Sequence, residues 1–214
     1  MKTPKISIEI NSKSSVIFYF LQLHSSLDEI EFQKIHQKNW IQLVSVLTGD
    51  TQVTARDCLI NSLRMRPDRI LVGECRRDET FEMLQAMNTG HEGSMTTIHS
   101  NSPNDCLTRL ENLLYSAGFE VTQKFLRRQI SDTVNFIIQL KRNTRGQRIV
   151  SQIIELTGME GDVITRTILF DTNNSSQELV PTGLVPKVVE IIETRTEEFP
   201  EEFFKRDNLF KSVG

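Results

Sequence analysis

The stretch LRMRPDRILVGECRRDETFEMLQAMNTGHEGSMTTIHSN, residues 63–101, decides the fold. Within it, Arg69 to Glu74 (RILVGE) predicts a short buried strand, and Ser94 to His99 (SMTTIH) predicts a second strand. Between the two strands, Asp78 is placed to cap a helix, and Gly90 is placed to end it. A strand, a helix and a strand in succession are typical of an α/β fold with a parallel sheet.

The alternation of helices and strands continues on both sides of this stretch. Helices are expected to start at Thr54, Ser102-Pro103 and Thr122, and two of them to end at Pro67 and Gly118. Further strands are expected at residues 16–23, 40–46, 135–140, 149–155 and 163–170, with a turn at residues 143–146. We predict an α/β core with a largely parallel sheet, to which the last two strands add a β-hairpin.

The composition is that of one soluble domain. The chain has 214 residues, of which 38% are hydrophobic and 25% charged, and its net charge of -3 argues against a nucleic-acid-coating protein. The apolar run from Val16 to Leu21 is far too short to span a bilayer. The three cysteines, Cys58, Cys75 and Cys106, form no C-x-x-C pair, which favours a reducing cytoplasm.

Polar side chains follow both strands of the deciding stretch. Gly73 and Glu74 end the first strand, and Thr97 and His99 end the second. The carboxyl ends of parallel strands meet at one rim, where open α/β sheets bind ligands. A carboxylate there can hold a hydrated Mg²⁺ through water or polarise an attacking water. The arginines available to pair with phosphate are Arg56, Arg64, Arg66, Arg76 and Arg77.

Each of these features also has a purely structural interpretation. A glutamate after a strand is often a solvated end or a helix cap, and a histidine there is often a satisfied polar group. His91, His99 and Cys106 could suggest a metal hydrolase, but no pair of them has the spacing of a zinc motif. The functional interpretation depends on the features occurring together and in this order.

This order of motifs resembles the motor ATPases of type II and type IV secretion systems. The resemblance is greatest to the CpaF-like branch, which drives Tad-type pilus assembly. It covers roughly residues 50–170, including Arg127-Arg128-Gln129-Ile130 and the stretch ELTGMEGD at 155–162, and extends more weakly to TGLVP at 182–186. It implies a RecA-like ATPase domain over residues 16–170, after an irregular segment at 1–15. Residues 171–214 are then a linker and a C-terminal helical tail.

The resemblance implies roles for individual residues. RILVGE is similar to the family's Walker B strand, which implies that Glu74 acts at Mg²⁺ and water. GHEGSMTTIHSN is similar to its histidine box, which implies sensing roles for His91 and His99. Arg64 and Arg76 match arginines that reach a nucleotide in a neighbouring subunit. Gly73 and Thr97 would line the nucleotide site.

Two departures from the family pattern lie toward the start of the chain. SLDEIEF at 26–32 is similar to the family's aspartate box, with Asp28 and Glu31 at acidic positions. Leu27 stands where the family places a glutamate, and leucine can neither accept a proton nor orient water. The phosphate-binding motif G-x-x-x-x-G-K-[ST] does not occur, since no glycine precedes Gly49 and no Gly-Lys pair exists. The resemblance therefore implies a truncated RecA-like core that is inactive alone.

The family's activity defines the expected function. The chain would be the C-terminal part of a motor that uses ATP and Mg²⁺ to drive pilin assembly or protein export. Its expected partners are copies of itself in a hexamer, or intact motor subunits, and an inner-membrane secretion platform protein. It would be cytoplasmic and peripheral at the inner membrane. The alternative is a non-catalytic accessory or regulatory subunit of a motor ring.

Overall fold

The structure, a computed structural model, describes residues 5–9, 40–46, 52–118, 121–173, 178–190 and Phe204. Its helices are α1 (Ala55–Arg64), α2 (Glu79–Asn88), α3 (Pro103–Ser116) and α4 (Gln123–Thr133). Its strands are β1 (Lys5–Glu9), β2 (Trp40–Val44), β3 (Arg69–Val72), β4 (Met95–Thr96), β5 (Phe136–Arg142), β6 (Arg148–Glu160), β7 (Val163–Thr172) and β8 (Leu179–Pro181). The fold is mixed α/β.

The first sheet has the strand order β2-β1-β3-β4. Strands β3 and β4 are parallel, because α2 supplies the crossover connection that a parallel pair requires. Strand β1 is antiparallel to both of its neighbours. Among the described strands, β3–β4 is the one parallel pair in this sheet, so the expected largely parallel core is not confirmed. Strand β1 also lies within residues 1–15, for which the sequence predicts no regular element.

The second sheet is antiparallel and has the order β5-β6-β7-β8. The predicted hairpin of β6 and β7 is present, but the assignment of β5 to the core sheet was wrong. Strand β5 pairs with β6 through the turn at residues 143–146, because so short a connection joins antiparallel neighbours. Strand β8 lies in the predicted linker and pairs with β7.

The helix starts follow local capping chemistry. Thr54, Ser102 and Thr122 each accept a backbone N–H three residues later, as their positions before the helices predict. Asp78 stands at the N-cap position of α2 as predicted, but its side chain makes no capping hydrogen bond. The neighbouring Glu79 accepts backbone N–H groups instead.

One hydrophobic core joins the helices to both sheets. Its completely buried members include Leu59, Ile70, Leu110, Ile130, Ile137 and Ile154. Each such side chain contributes about 1.5–3 kcal/mol relative to exposure. Strand β3 runs through this core with Ile70, Leu71 and Val72 all buried. The end of β3 is therefore held at a fixed place in the molecule.

A buried carboxylate attaches the chain after β8 to the second sheet. Glu155 on β6 accepts the backbone N–H groups of Lys187 (3.0 Å) and Val188 (3.3 Å). Lys187 Nζ donates to Thr157 O at 3.0 Å. Residues 188–190 are helical, and the ring of Phe204 lies 6.0 Å from that of Phe170. The rest of the predicted tail lies outside the described residues.

The predicted strand at 16–23 and the predicted aspartate box at 26–32, with Asp28 and Glu31, also lie outside the described residues. Within the parts of the chain that are described, no helix combines the length and apolar character needed to cross a membrane.

Candidate active site at the end of strand β3

Glu74 follows β3 and carries a carboxylate with a different partner on each oxygen. The residue is 9% exposed. Arg76 forms a two-point ion pair with Oε2, using both Nε and Nη2. His99 Nε2 lies 3.1 Å from Oε1. The sequence predicted that Glu74 and His99 share one rim, and the structure brings them into contact.

The ends of β3 and β4 are fixed to each other beside this carboxylate. The Thr97 hydroxyl donates to Gly73 O at 2.6 Å, and Cys75 N–H donates to Thr97 O at 3.0 Å. These bonds continue the parallel pairing beyond the last strand residues. Gly73 and Thr97 thus lie next to Glu74 as predicted.

The opposite end of the strand pair contains His91. Its Nδ1 lies 3.1 Å from Ala86 O, at the end of α2. Ser94 Oγ donates to His91 O (2.7 Å) and accepts Ile70 N–H (3.0 Å), which connects the turn before β4 to the start of β3. Gly93, at φ +84°, approaches the Arg69 side chain closely. The structure therefore separates His91 from Glu74 by the length of β3.

The two arginines proposed as fingers are also separated. Arg64 is exposed in the last turn of α1, a few residues before β3 begins. Arg76 follows β3, and its side chain is half exposed while it pairs with Glu74. Of the two, Arg76 alone is placed at the carboxylate.

Sequence reasoning missed Glu79 as part of this site. Its Oε1 accepts the backbone N–H of Arg76 (2.5 Å) and of Arg77 (2.9 Å). The signal that could have found it is the tandem Asp78-Glu79, in which either residue can satisfy the orphan N–H groups at a helix start.

The charges and burial at this end of β3 shift two pKa values. The hydrogen bond to Glu74, together with the attraction of its charge, raises the pKa of the Arg76 guanidinium. Burial raises the pKa of the Cys75 thiol to about 12, although a hydrogen bond from Thr96 opposes the shift. The thiol between Glu74 and Arg76 is therefore neutral at physiological pH.

The site matches part of what a magnesium nucleotide requires. Mg²⁺ bound with nucleotide is commonly held by one or two carboxylates and keeps several waters, so Glu74 fits this role through water. No group of three or more His, Cys, Asp or Glu residues in the described segments could hold a metal ion by itself. The phosphate-cradling motif does not occur in the sequence. The described residues thus fit the carboxylate side of a Mg-ATP site and not its phosphate side.

Comparison with known families agrees with the order of these motifs. Residues 25–168 match the family described as type II/IV secretion system protein. The chain belongs to this family. The match includes α1 to α4, β2 to β6 and most of β7, so Glu74 and His99 fall inside the family domain.

Curated relatives from this family align with 42–56% of the chain. The conjugal transfer protein TrbB of Rhizobium radiobacter is 41% identical over 115 residues, which cover 54% of this chain and 34% of the relative. The protein VirB11 of Agrobacterium fabrum is 37% identical over 91 residues, covering 42% of this chain and 26% of the relative. The chain therefore spans about a third or less of the length of these relatives.

Solved structures give a partial superposition. The VirB11 ATPase of the Brucella suis type IV secretion system has a TM-score of 0.45 and 28% identity, over 47% of this chain and 31% of the other. The pilus retraction motor PilT with bound ADP has a TM-score of 0.37 and 30% identity, over 48% of this chain and 29% of the other. Family membership rests on the sequence match, since such TM-scores do not define a common fold.

Proposed function

We propose that this chain contributes the carboxylate side of the nucleotide site in a secretion-system motor ATPase. The observation that carries the proposal is the Glu74 carboxylate, buried at the end of β3 and oriented by Arg76 and His99. Family membership supports it.

The residues of the site have distinct roles in this proposal. Glu74 holds water of a hydrated Mg²⁺ or orients the attacking water, because it is a carboxylate at the rim where the phosphates would lie. His99 occupies its Oε1, so the direction of the remaining lone pairs is fixed. Thr97 keeps the two strand ends in register through Gly73. ATP with Mg²⁺ supplies the γ-phosphoryl group whose transfer to water releases energy.

The finer features of the motor are proposals from the sequence resemblance. They include a hexameric ring, an inner-membrane platform as partner, and a cytoplasmic site of action at that membrane. Asp28 and Glu31 would add acidic groups, His91 would take part in sensing, and Arg64 or Arg76 would reach a neighbouring subunit. Pilin assembly, the CpaF-like branch and protein export are the proposed types of work.

A second candidate is an accessory subunit of a motor ring. No G-x-x-x-x-G-K-[ST] motif occurs among the 214 residues, so the backbone N–H groups that cradle the phosphates belong to other residues than these. An intact motor subunit could supply them, and this chain would then add charged groups to the neighbour's nucleotide. Arginines supplied in this way can raise the rate by about 10³–10⁵-fold.

The test is Mg-ATP binding and hydrolysis by the purified chain, alone and mixed with an intact secretion ATPase subunit. If the chain forms the carboxylate side of the site, Glu74→Gln lowers Mg-dependent hydrolysis by about 10²-fold or more. Glu82→Gln is the matched control, because Glu82 pairs with Arg56 between α2 and α1. Activity that is seen only in the mixture, and not with the purified chain by itself, favours the accessory role. Measurable hydrolysis that is equal for the Glu74→Gln variant and the unmodified chain contradicts the proposal.

A further inference from the structure

Glu79 is a buried carboxylate that the chemistry proposed for Glu74 does not use. The residue is 3% exposed and is the first residue of α2. A buried carboxylate is energetically unfavourable unless hydrogen bonds within the protein replace those that it loses to water. The positive end of the α2 dipole reduces this cost. The larger compensation comes from the segment that precedes the helix.

A single oxygen of Glu79 holds the backbone at two successive residues. Oε1 accepts the N–H of Arg76 at 2.5 Å and the N–H of Arg77 at 2.9 Å. Charge-assisted hydrogen bonds of this kind are the stronger class. The segment from Gly73 to Arg77 is thus held at its start by Thr97 and at its end by Glu79.

The geometry of that segment determines where the Arg76 side chain goes. Glu74 and Arg76 are two residues apart in a non-helical segment, and side chains with this spacing point to the same side of an extended chain. The guanidinium then reaches Oε2 of Glu74 with both Nε and Nη2. A rotation of the backbone at Arg76 would direct the guanidinium away from Glu74.

We infer that Glu79 is a positioning residue, which fixes the backbone at Arg76 and thereby directs the Arg76 guanidinium to Glu74. In this role, the side chain of Glu79 acts on Glu74 through Arg76. Its importance for hydrolysis rests on the proposed function, whereas its effect on Arg76 is a property of the free chain. The two can be measured separately.

The first experiment follows the hydrogen exchange of arginine Nε–H groups by ¹⁵N NMR. In the described residues, Nε–H groups of Arg56, Arg76 and Arg127 donate to the carboxylates of Glu82, Glu74 and Glu111, respectively. In Glu79→Ala, exchange at Arg76 should accelerate by about tenfold or more, the factor expected for a lost hydrogen bond to a charged group. Exchange at Arg56 and Arg127 should not change. Arg76→Lys identifies the Arg76 signal by removing it.

A conservative variant separates positioning from general stability. Glu79→Gln retains an amide oxygen that can accept the same two N–H groups, so exchange at Arg76 should stay close to that of the unmodified chain. If Glu79→Ala does not fold, Glu79→Asp gives the same test, since its carboxylate is one methylene too short. Unchanged exchange at Arg76, or equal acceleration at all three arginines, would overturn the inference.

The second experiment measures Mg-ATP hydrolysis in the assay described for Glu74. Glu79→Ala and Arg76→Ala should lower the rate by the same factor, and the double variant should be no slower than either. If Glu74→Gln changes nothing, the proposed function is wrong and the exchange experiment alone decides the inference. If Glu74→Gln is inactive while Glu79→Ala is fully active, the inference about Glu79 is wrong and the proposed function stands.

Discussion

The two ends of the β3–β4 pair use similar residues for different purposes. Each end has a histidine and a hydroxyl side chain that connects the strands. At the start of β3, Ser94 and His91 contact backbone groups. At its end, His99 contacts the carboxylate of Glu74, which is also paired with Arg76. The first arrangement completes the fold, and the second holds the charged group on which the proposed function depends.

Exchanging the two histidines for alanine tests this difference most directly. His99→Ala removes a partner of Glu74 and should lower Mg-dependent hydrolysis by about 10²-fold. His91→Ala should reduce the rate less and should lower the free energy of unfolding by about 1 kcal/mol, since it loses the contact with Ala86 O. Steady-state kinetics and urea unfolding of both variants provide the measurement. A larger loss of rate in His91→Ala would reverse the assignment of the two ends.

Substitution of the glycines before β4 tests how closely the residues at the start of β3 are packed. Gly90 and Gly93 have positive φ values of 91° and 84°, so alanine at either position costs about 1–2 kcal/mol in backbone strain. A Cβ at Gly93 would lie 2.8 Å from Arg69 Nε, whereas a Cβ at Gly90 would meet nothing within 4 Å. Gly93→Ala should therefore lower the free energy of unfolding more than Gly90→Ala. Equal losses in urea unfolding would show that the Arg69 side chain moves away without cost.

The buried thiol of Cys75, at the end of β3, predicts that the stability of the fold depends on pH. Cys75 has a pKa of about 12 in the folded chain, raised by burial from an ordinary value of 9.0. Above pH 9 the unfolded thiol loses its proton while the folded thiol keeps it, so the unfolded state is increasingly favoured. The contribution is about 1.4 kcal/mol per pH unit, and it is absent below pH 9.

Urea unfolding of the unmodified chain and of Cys75→Ala between pH 8 and 10.5 measures this contribution. The variant should show a shallower fall in the free energy of unfolding, although its stability at pH 8 is lower because a buried side chain is lost. Cys106, whose pKa is also raised to about 12 by burial, provides the comparison through Cys106→Ala. Parallel curves for Cys75→Ala and the unmodified chain would show that water reaches this end of β3.

The sequence predicted those features that depend on neighbouring residues. The starts of α1, α3 and α4 were predicted because the caps Thr54, Ser102 and Thr122 act on N–H groups three residues away. Strand pairing depends on residues far apart in the chain. The place of β5 in the second sheet, and the antiparallel direction of β1, were therefore not predicted. Strand β8 was missed because its short apolar segment lies among Gly, Pro and polar residues.

The candidate site was predicted better than the sheet that carries it. Glu74, Thr97 and His99 come together because β3 and β4 are parallel, and this single pair was predicted from the helix between them. A largely parallel sheet was not needed for their proximity. Glu79 was missed because Asp78 is a common capping residue, and the sequence alone does not say which carboxylate turns back toward the loop.

The carboxylate of Glu155 has a mechanical consequence. It holds the N–H groups of Lys187 and Val188, residues more than thirty positions later in the chain, and Lys187 in turn bonds to Thr157 O on the same strand. A pulling force applied to the chain beyond residue 190 would therefore act on β6, which lies between β5 and β7, before it could extend residues 178–187. The second sheet would carry this force, and β6 would transmit it to Ile154 in the hydrophobic core.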